Sequence, residues 1–349
     1  MLNSSGMIAV GVYLLSLLLI GAIARRASRE ASLKDYYLAG GSLGVASLFF
    51  TLYATQYSGN TLFGVPGQAY REGFSALAVT FAVMGIVAVY AVYAPTLHAL
   101  ARRHRFVTAG DFVRWRFEDR RLLVAANLIF VFTLTSYVLA NLKAMGLLVE
   151  GATGGTITYV QGILLLSLIM AVYESLGGMR SVVWTDVLQG SILLAGCLIV
   201  FVIVLRRPDM GILPAADILQ GARETFGDHE RGFEFVGLLL LVALGAAVYP
   251  QAIQRIYAAK NARALRTSYT LLLVMPLLVM LPLSVVAMSA TRWLPAIPDA
   301  ETESVILRSI AFALADTGLW SGVLALFIGA AVAAIMSVSY THLRAHETS

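Results

Sequence analysis

The chain has 349 residues, 59% of them hydrophobic and 13% charged, with a mean hydropathy of +0.80 and a formal net charge of +5. Soluble domains carry about a quarter charged residues, so the composition excludes a soluble enzyme with one anchor and points to a polytopic membrane protein. The single cysteine, Cys197, lies in an apolar run, which excludes a disulfide framework and a cysteine-based zinc site.

Nine apolar stretches succeed one another in chain order, at roughly 7–24, 44–66, 75–97, 122–148, 157–173, 182–205, 236–254, 268–289 and 319–337. Each is near the ~20 residues that a spanning helix needs, the fifth being short. The first lacks a basic start and is followed by Arg25 and Arg26, so it reads as a retained span rather than a cleaved leader. With the N-terminus outside, inside loops hold sixteen basic residues and outside loops eight. That bias sets the expected orientation, and it assigns the positive charge to cytoplasmic loops rather than to nucleic acid. The longest outside segment, about 206–235, is acidic and contains Pro208 and Pro214, so a loop with at most short helices is expected there. The basic stretch 102–121, punctuated by Phe106, Phe112, Trp115 and Phe117, reads as an interfacial, lipid-facing loop.

Four stretches carry chemical information. The second apolar segment breaks its own pattern at Tyr53-Ala54-Thr55-Gln56-Tyr57-Ser58-Gly59-Asn60. It reads either as an unwound hinge whose carbonyls face a cation or as a small-residue packing face. Gly177-Gly178-Met179-Arg180 leads to Asp186, which is either a first-turn acid favoured by the helix dipole or part of an ion exit route. Pro250, preceded by Gly245, disturbs the helix around Ala246–Ala247 and makes the seventh segment a second candidate for interruption. In that stretch Arg255 and Lys260 read as simple flanking charges. Finally, Gly329 to Ser337 is a stretch whose small residues suit close helix packing, with a hydroxyl at Ser337 that suits a hard cation. No enzyme constellation competes: the histidines are not at metal-ligand spacing and no phosphate-binding loop is present. The chain is not read as an enzyme.

Together the DYYLAGGSLG entry, the YATQYSG centre, the GGMRSVVWTD turn, the PQAIQR–AAK element and the AAIMS end resemble the sodium:solute symporter family, from about residue 5 to Ser337. The resemblance implies an all-α polytopic membrane protein with the LeuT-type inverted-repeat helical bundle: one leading helix, five core helices, then an inverted copy. It implies sodium as coupling ion, a small organic solute as cargo, and a multi-pass position in a bacterial-type cell membrane. Sodium ligands would be the carbonyls of Ala54, Tyr57 and Ala334 and the hydroxyl of Ser337, with Asp186 in cation release. Gln56, Asn60, Tyr249 and Gln251 would face the substrate cavity. Gln56 stands where some proline-transporting relatives have an acid, and Val338 stands where a further hydroxyl ligand is expected. One transmembrane domain, 1–337, of about nine helices is therefore expected, with 338–349 a polar tail foreign to the fold and the second repeat incomplete. Besides a symporter, the same pattern fits a symporter-like sensor domain or an inactive fragment.

Overall fold

The computed structural model describes residues 4–27, 33–314, 322–332 and 335. The described residues are helical, apart from turns and one isolated bridge between Leu43 and Ala259. Helix α1 (Ser4–Ala27) packs along α8 and turns Ile8, Val12, Leu15 and Leu19 outward. An outward apolar face of this kind is soluble only in lipid. A short α2 (Leu33–Leu38) then leads through Gly40 and Gly41, both at positive φ, into α3 (Val45–Gln56). A π turn (Asn60–Gly64) and α4 (Val65–Glu72) continue the second apolar segment after a gap.

Gly73, at φ +61°, turns the chain into α5 (Leu77–His104). Next come α6 (Ala109–Phe117), started by a Thr108–Asp111 capping box, and α7 (Arg120–Thr153), capped by Asp119. The label α8 covers Tyr159–Arg206, but Gly178 (φ 61°, ψ −154°) divides it into two spans. A Cβ at Gly178 would lie 3.0 Å from the Tyr36 carbonyl oxygen, so both the backbone conformation and the close approach require glycine. The acidic outer segment is more ordered than a loop. It forms α9 (Ala215–Gly227), and Asp228 caps the start of α10 (His229–Ala246). The capping acid holds free N–H groups there, which helps so polar a stretch to be helical. After a gap, α11 (Pro250–Ala258) is bent 52° from α10. Then come α12 (Ala262–Ala290), α13 (Val305–Leu314) and α14 (Gly322–Val332).

Among the described residues, five helices are long and apolar enough to cross a membrane, or six with the bent pair counted as one. The expectation of nine differs for physical reasons. The second apolar segment is broken after Gln56, so neither α3 nor α4 is long enough alone, the 159–172 piece is short, and the last stretch lies partly outside the described residues. Burial separates the layers: 56% of the α12 window is buried against 6% for α7. The central layer is α3, α5, the second half of α8, and α12, and the two broken helices run through it.

Candidate functional site

The first break begins where α3 stops. Tyr57 is extended (φ −106°, ψ 114°), and the helical ladder ends with its N–H on the Tyr53 carbonyl at 3.2 Å. The Ser58 N–H turns to the Thr61 hydroxyl at 3.3 Å instead of continuing the helix, and the Thr61 N–H returns to the Ser58 carbonyl at 3.0 Å. Ala54 and Tyr57 are buried here, Gln56 is half-buried, and Asn60 is exposed. A Cβ on Gly64 would fall 1.9 Å from Asn60 Oδ1, so the Asn60 amide lies folded over its own π turn.

Residue 335 passes directly against this break. A Cβ on Gly59 would sit 2.8 Å from Ile335 Cγ1 and 2.9 Å from Ala144 Cβ, which leaves room only for glycine. Ala334 and Ser337, the other two expected sodium ligands, lie outside the described residues.

The second break lies between Ala246 and Pro250. Proline has no N–H for the Ala246 carbonyl, which a continuous helix would require. Two tyrosines of α5 meet the freed groups: Tyr90 donates to the Ala246 carbonyl at 2.7 Å, and Tyr93 donates to that of Ala247. Tyr249 is half-buried at the break, with its ring 6.1 Å from that of Tyr137. Tyr137 on α7 also meets Ser58, so one side chain touches both breaks. Gln251 is buried, and its Oε1 has no hydrogen-bond partner among the described residues.

On one side of the breaks the two half-helices α3 and α11 are joined. Leu43 and Lys260 exchange backbone contacts across the Leu43–Ala259 bridge, with Leu43 N–H on the Ala258 carbonyl at 3.1 Å and Lys260 N–H on the Leu43 carbonyl at 2.9 Å. Gln254 donates to the Tyr37 carbonyl at 3.0 Å, and Arg180 pairs with Asp35 at 2.7 Å.

Deeper, Arg255 is wholly buried, and this overturns the reading of it as a flanking charge. Its Nε donates to the Thr51 carbonyl at 3.1 Å and to the Thr51 hydroxyl at 3.0 Å, and its Nη1 donates to the Gln251 carbonyl at 3.1 Å. The Thr51 hydroxyl in turn donates to Asp186 Oδ2 at 2.5 Å, and Arg255 Nη2 stands 3.6 Å from the same oxygen. Lys260, by contrast, is exposed, as a flanking charge should be.

Asp186 is buried eight residues beyond the Gly178 break and so belongs to the core rather than to a first helical turn. Its Oδ1 has no hydrogen-bond partner among the described residues. A carboxylate oxygen is of the type that hard cations prefer, and the arginine beside it supplies the charge that keeps the buried pair together. The constellation spans three helices, with Thr51 on α3, Asp186 on α8 and Arg255 on α11. Sequence patterns single out none of Thr51, Arg255, Tyr90, Tyr93 and Tyr137 as members of the site. For Arg255 one signal is present: it comes four residues after Gln251, on the same face of a short helix.

The model of the sodium:solute symporter family matches residues 36–345. The chain belongs to that family. This chain is 28% identical over 265 residues to the osmoregulated proline transporter OpuE of Bacillus subtilis, covering 74% of the chain and 53% of the relative. It is 27% identical over 315 residues to the sodium/proline symporter of Staphylococcus aureus, covering 87% and 60%. Among solved structures it matches a Na+-coupled sialic acid symporter in a substrate-bound, outward-open state, with a TM-score of 0.79 and 18% identity. That match covers 98% of this chain and 72% of the other. The fold is thus the LeuT-type symporter bundle, and the chain is a multi-pass membrane protein of a transporter family. It spans about half to three-fifths of the length of the curated relatives it matches.

Proposed function

We propose that this chain forms part of a sodium-coupled symporter that moves a small organic solute across a bacterial-type cell membrane by alternating access. The observation that carries this reading is the pair of broken helices, whose half-helices α3 and α11 are joined through Arg255 to Thr51 beside Asp186. Broken helices in corresponding positions of two repeats are where transporters of this architecture bind cargo and coupling ion.

In this reading the carbonyls of Ala54 and Tyr57 form one half of the sodium site, and Ala334 and Ser337 form the other. The close passage of Ile335 at Gly59 supports that pairing. Asp186, with its unengaged Oδ1, receives the ion on its way out. Gln56, Tyr249 and Gln251 contact the solute near the two breaks. Asn60 joins them once its amide leaves the π turn. The N-terminus lies outside, and the joined α3–α11 end with its arginines faces the cytoplasm. The membrane potential then contributes roughly 2.3 kcal/mol per charge per 100 mV to uptake.

The test is uptake into vesicles carrying the full-length gene product, with proline, sialic acid and a panel of other amino acids, sugars and carboxylates as labelled solutes. One solute should accumulate in a sodium gradient and not when choline replaces sodium. Equal uptake in choline would refute the coupling.

A further inference from the structure

The stretch beside α6 treats its arginines differently from four arginines at the α9 end. At the α9 end, Arg207 pairs with Asp209 at 2.8 Å, Arg292 with Asp217 at 2.9 Å, Arg231 with Asp228 at 3.6 Å, and Arg308 with Glu301. At the other end, the stretch from Arg102 to Arg121 holds seven arginines, all exposed, and among the described residues none of them makes an ion pair. Two of its three acids are turned to other work, and the third, Glu118, is exposed. Asp111 accepts the backbone N–H groups of Val107 and Thr108, each at 2.8 Å, and Asp119 accepts those of Arg121 and Leu122 at 2.6 and 3.2 Å.

Between the arginines, Trp115 and Phe117 are 37% and 53% exposed, and the Arg116 guanidinium lies 5.6 Å from the centre of the Phe117 ring. The stretch is flanked directly by α5 and α7, both long and apolar enough to span a membrane. It is therefore fixed at the edge of the bilayer. A nucleic-acid groove has no reason to expose Trp115 and Phe117 at that depth, whereas indole and phenyl rings settle at the headgroup level.

We propose that α6 and its flanking arginines form a docking surface for anionic phospholipid headgroups. Each guanidinium offers a planar fork to a phosphate diester, the aromatic rings enter the acyl boundary beside it, and no carboxylate is paired with it in competition. A juxtamembrane basic cluster of this kind gathers acidic lipid within about a Debye length of the surface.

The full chain is reconstituted into phosphatidylcholine vesicles doped with increasing mole fractions of brominated phosphatidylglycerol or brominated phosphatidylcholine. The readout is quenching of the tryptophan emission that W115F removes. Brominated phosphatidylglycerol should quench that component at a mole fraction roughly fivefold lower than brominated phosphatidylcholine does. The preference should vanish in R114Q/R116Q/R120Q/R121Q. It should also fade in the unaltered protein when salt shortens the Debye length to about 3 Å, a readout that stands even if the quadruple variant does not fold. Equal quenching by the two lipids overturns the proposal. So does a preference abolished by inorganic phosphate but untouched by chloride at the same ionic strength, because that marks a free-phosphate site instead.

Discussion

At the α3–α4 break, the groups released from the helix are met by neighbours a few residues away: Ser58 by Thr61, and Thr61 by Ser58. At the α10–α11 break, the released carbonyls are met by Tyr90 and Tyr93, 156 and 154 residues distant in sequence. The first break is therefore written in polar residues on the spot, while the α10–α11 break is apolar in sequence and depends on another helix. Both obey the same demand, that no backbone polar group be left bare at membrane depth. The first break thus holds backbone hydrogen bonds of its own, besides the contact of Tyr137 with Ser58. The remote solution ties any movement of α10 to α5.

The largest test of that contrast acts where the two halves meet. Replacing Arg255 by Ala removes the bonds to Thr51 and Gln251 and leaves Asp186 buried without its cation. Stranding a buried partner costs about 3–5 kcal/mol, which should appear as a large drop in the melting temperature of the purified protein. R255K keeps the charge but not the fork and should fall between the two. The double variant D186N/R255Q should recover part of the loss, because neither partner is then left charged alone. If R255A melted with the unaltered protein, the guanidinium would not be holding α3 and α11 together.

This contrast also marks how far the residues can be read in advance. The first break is legible because lipid forbids Thr-Gln-Tyr-Ser-Gly-Asn in mid-span unless protein or water meets those groups. The α10–α11 break is half legible: Pro250 announces a disturbance around Ala246, but nothing local says that Tyr90 and Tyr93 cap it. Arg255 misleads for a related reason. A charge near the end of an apolar run fits the flank of a spanning helix, and only the partners Thr51 and Asp186, brought in from α3 and α8, make its burial tolerable. Asp186 reads as a residue of a helix start because the Gly-Gly pair reads as a turn. The turn is there, at Gly178, but packing against Tyr36 and Asp35 carries the helix beyond it into the core. The prolines and charges of the acidic outer segment read as a loop with at most short helices, and the helix that forms there, α9 after Pro214, runs 13 residues, with Asp228 capping the next.

A smaller effect separates the breaks through their glycines. A methyl group at Gly59 would press into Ile335 and Ala144, whereas one at Gly245 meets nothing within 4 Å. G59A should therefore cost about 1–3 kcal/mol by overpacking. G245A, inside α10, should be neutral or stabilise by up to about 1 kcal/mol through helix propensity. Thermal melting of the two variants side by side measures the difference. Equal behaviour would mean that the first break is looser than the contacts at Gly59 require.

The smallest expected effect is the most discriminating. The Ala246 carbonyl accepts from Tyr90 and also, at 3.2 Å, from the Tyr249 N–H, so Tyr90→Phe removes one of two partners. The cost should be that of a net hydrogen bond, about 0.5–1.5 kcal/mol. If Tyr90 acts because Pro250 opens the helix, Pro250→Ala supplies an N–H that can take over the same carbonyl. Y90F should then cost nothing when P250A is already present. The two substitutions would be coupled, as sites sharing one partner are. Strict additivity of Y90F and P250A in melting would show instead that the tyrosine merely packs beside the break, and the remote capping that distinguishes this break from the first would fall.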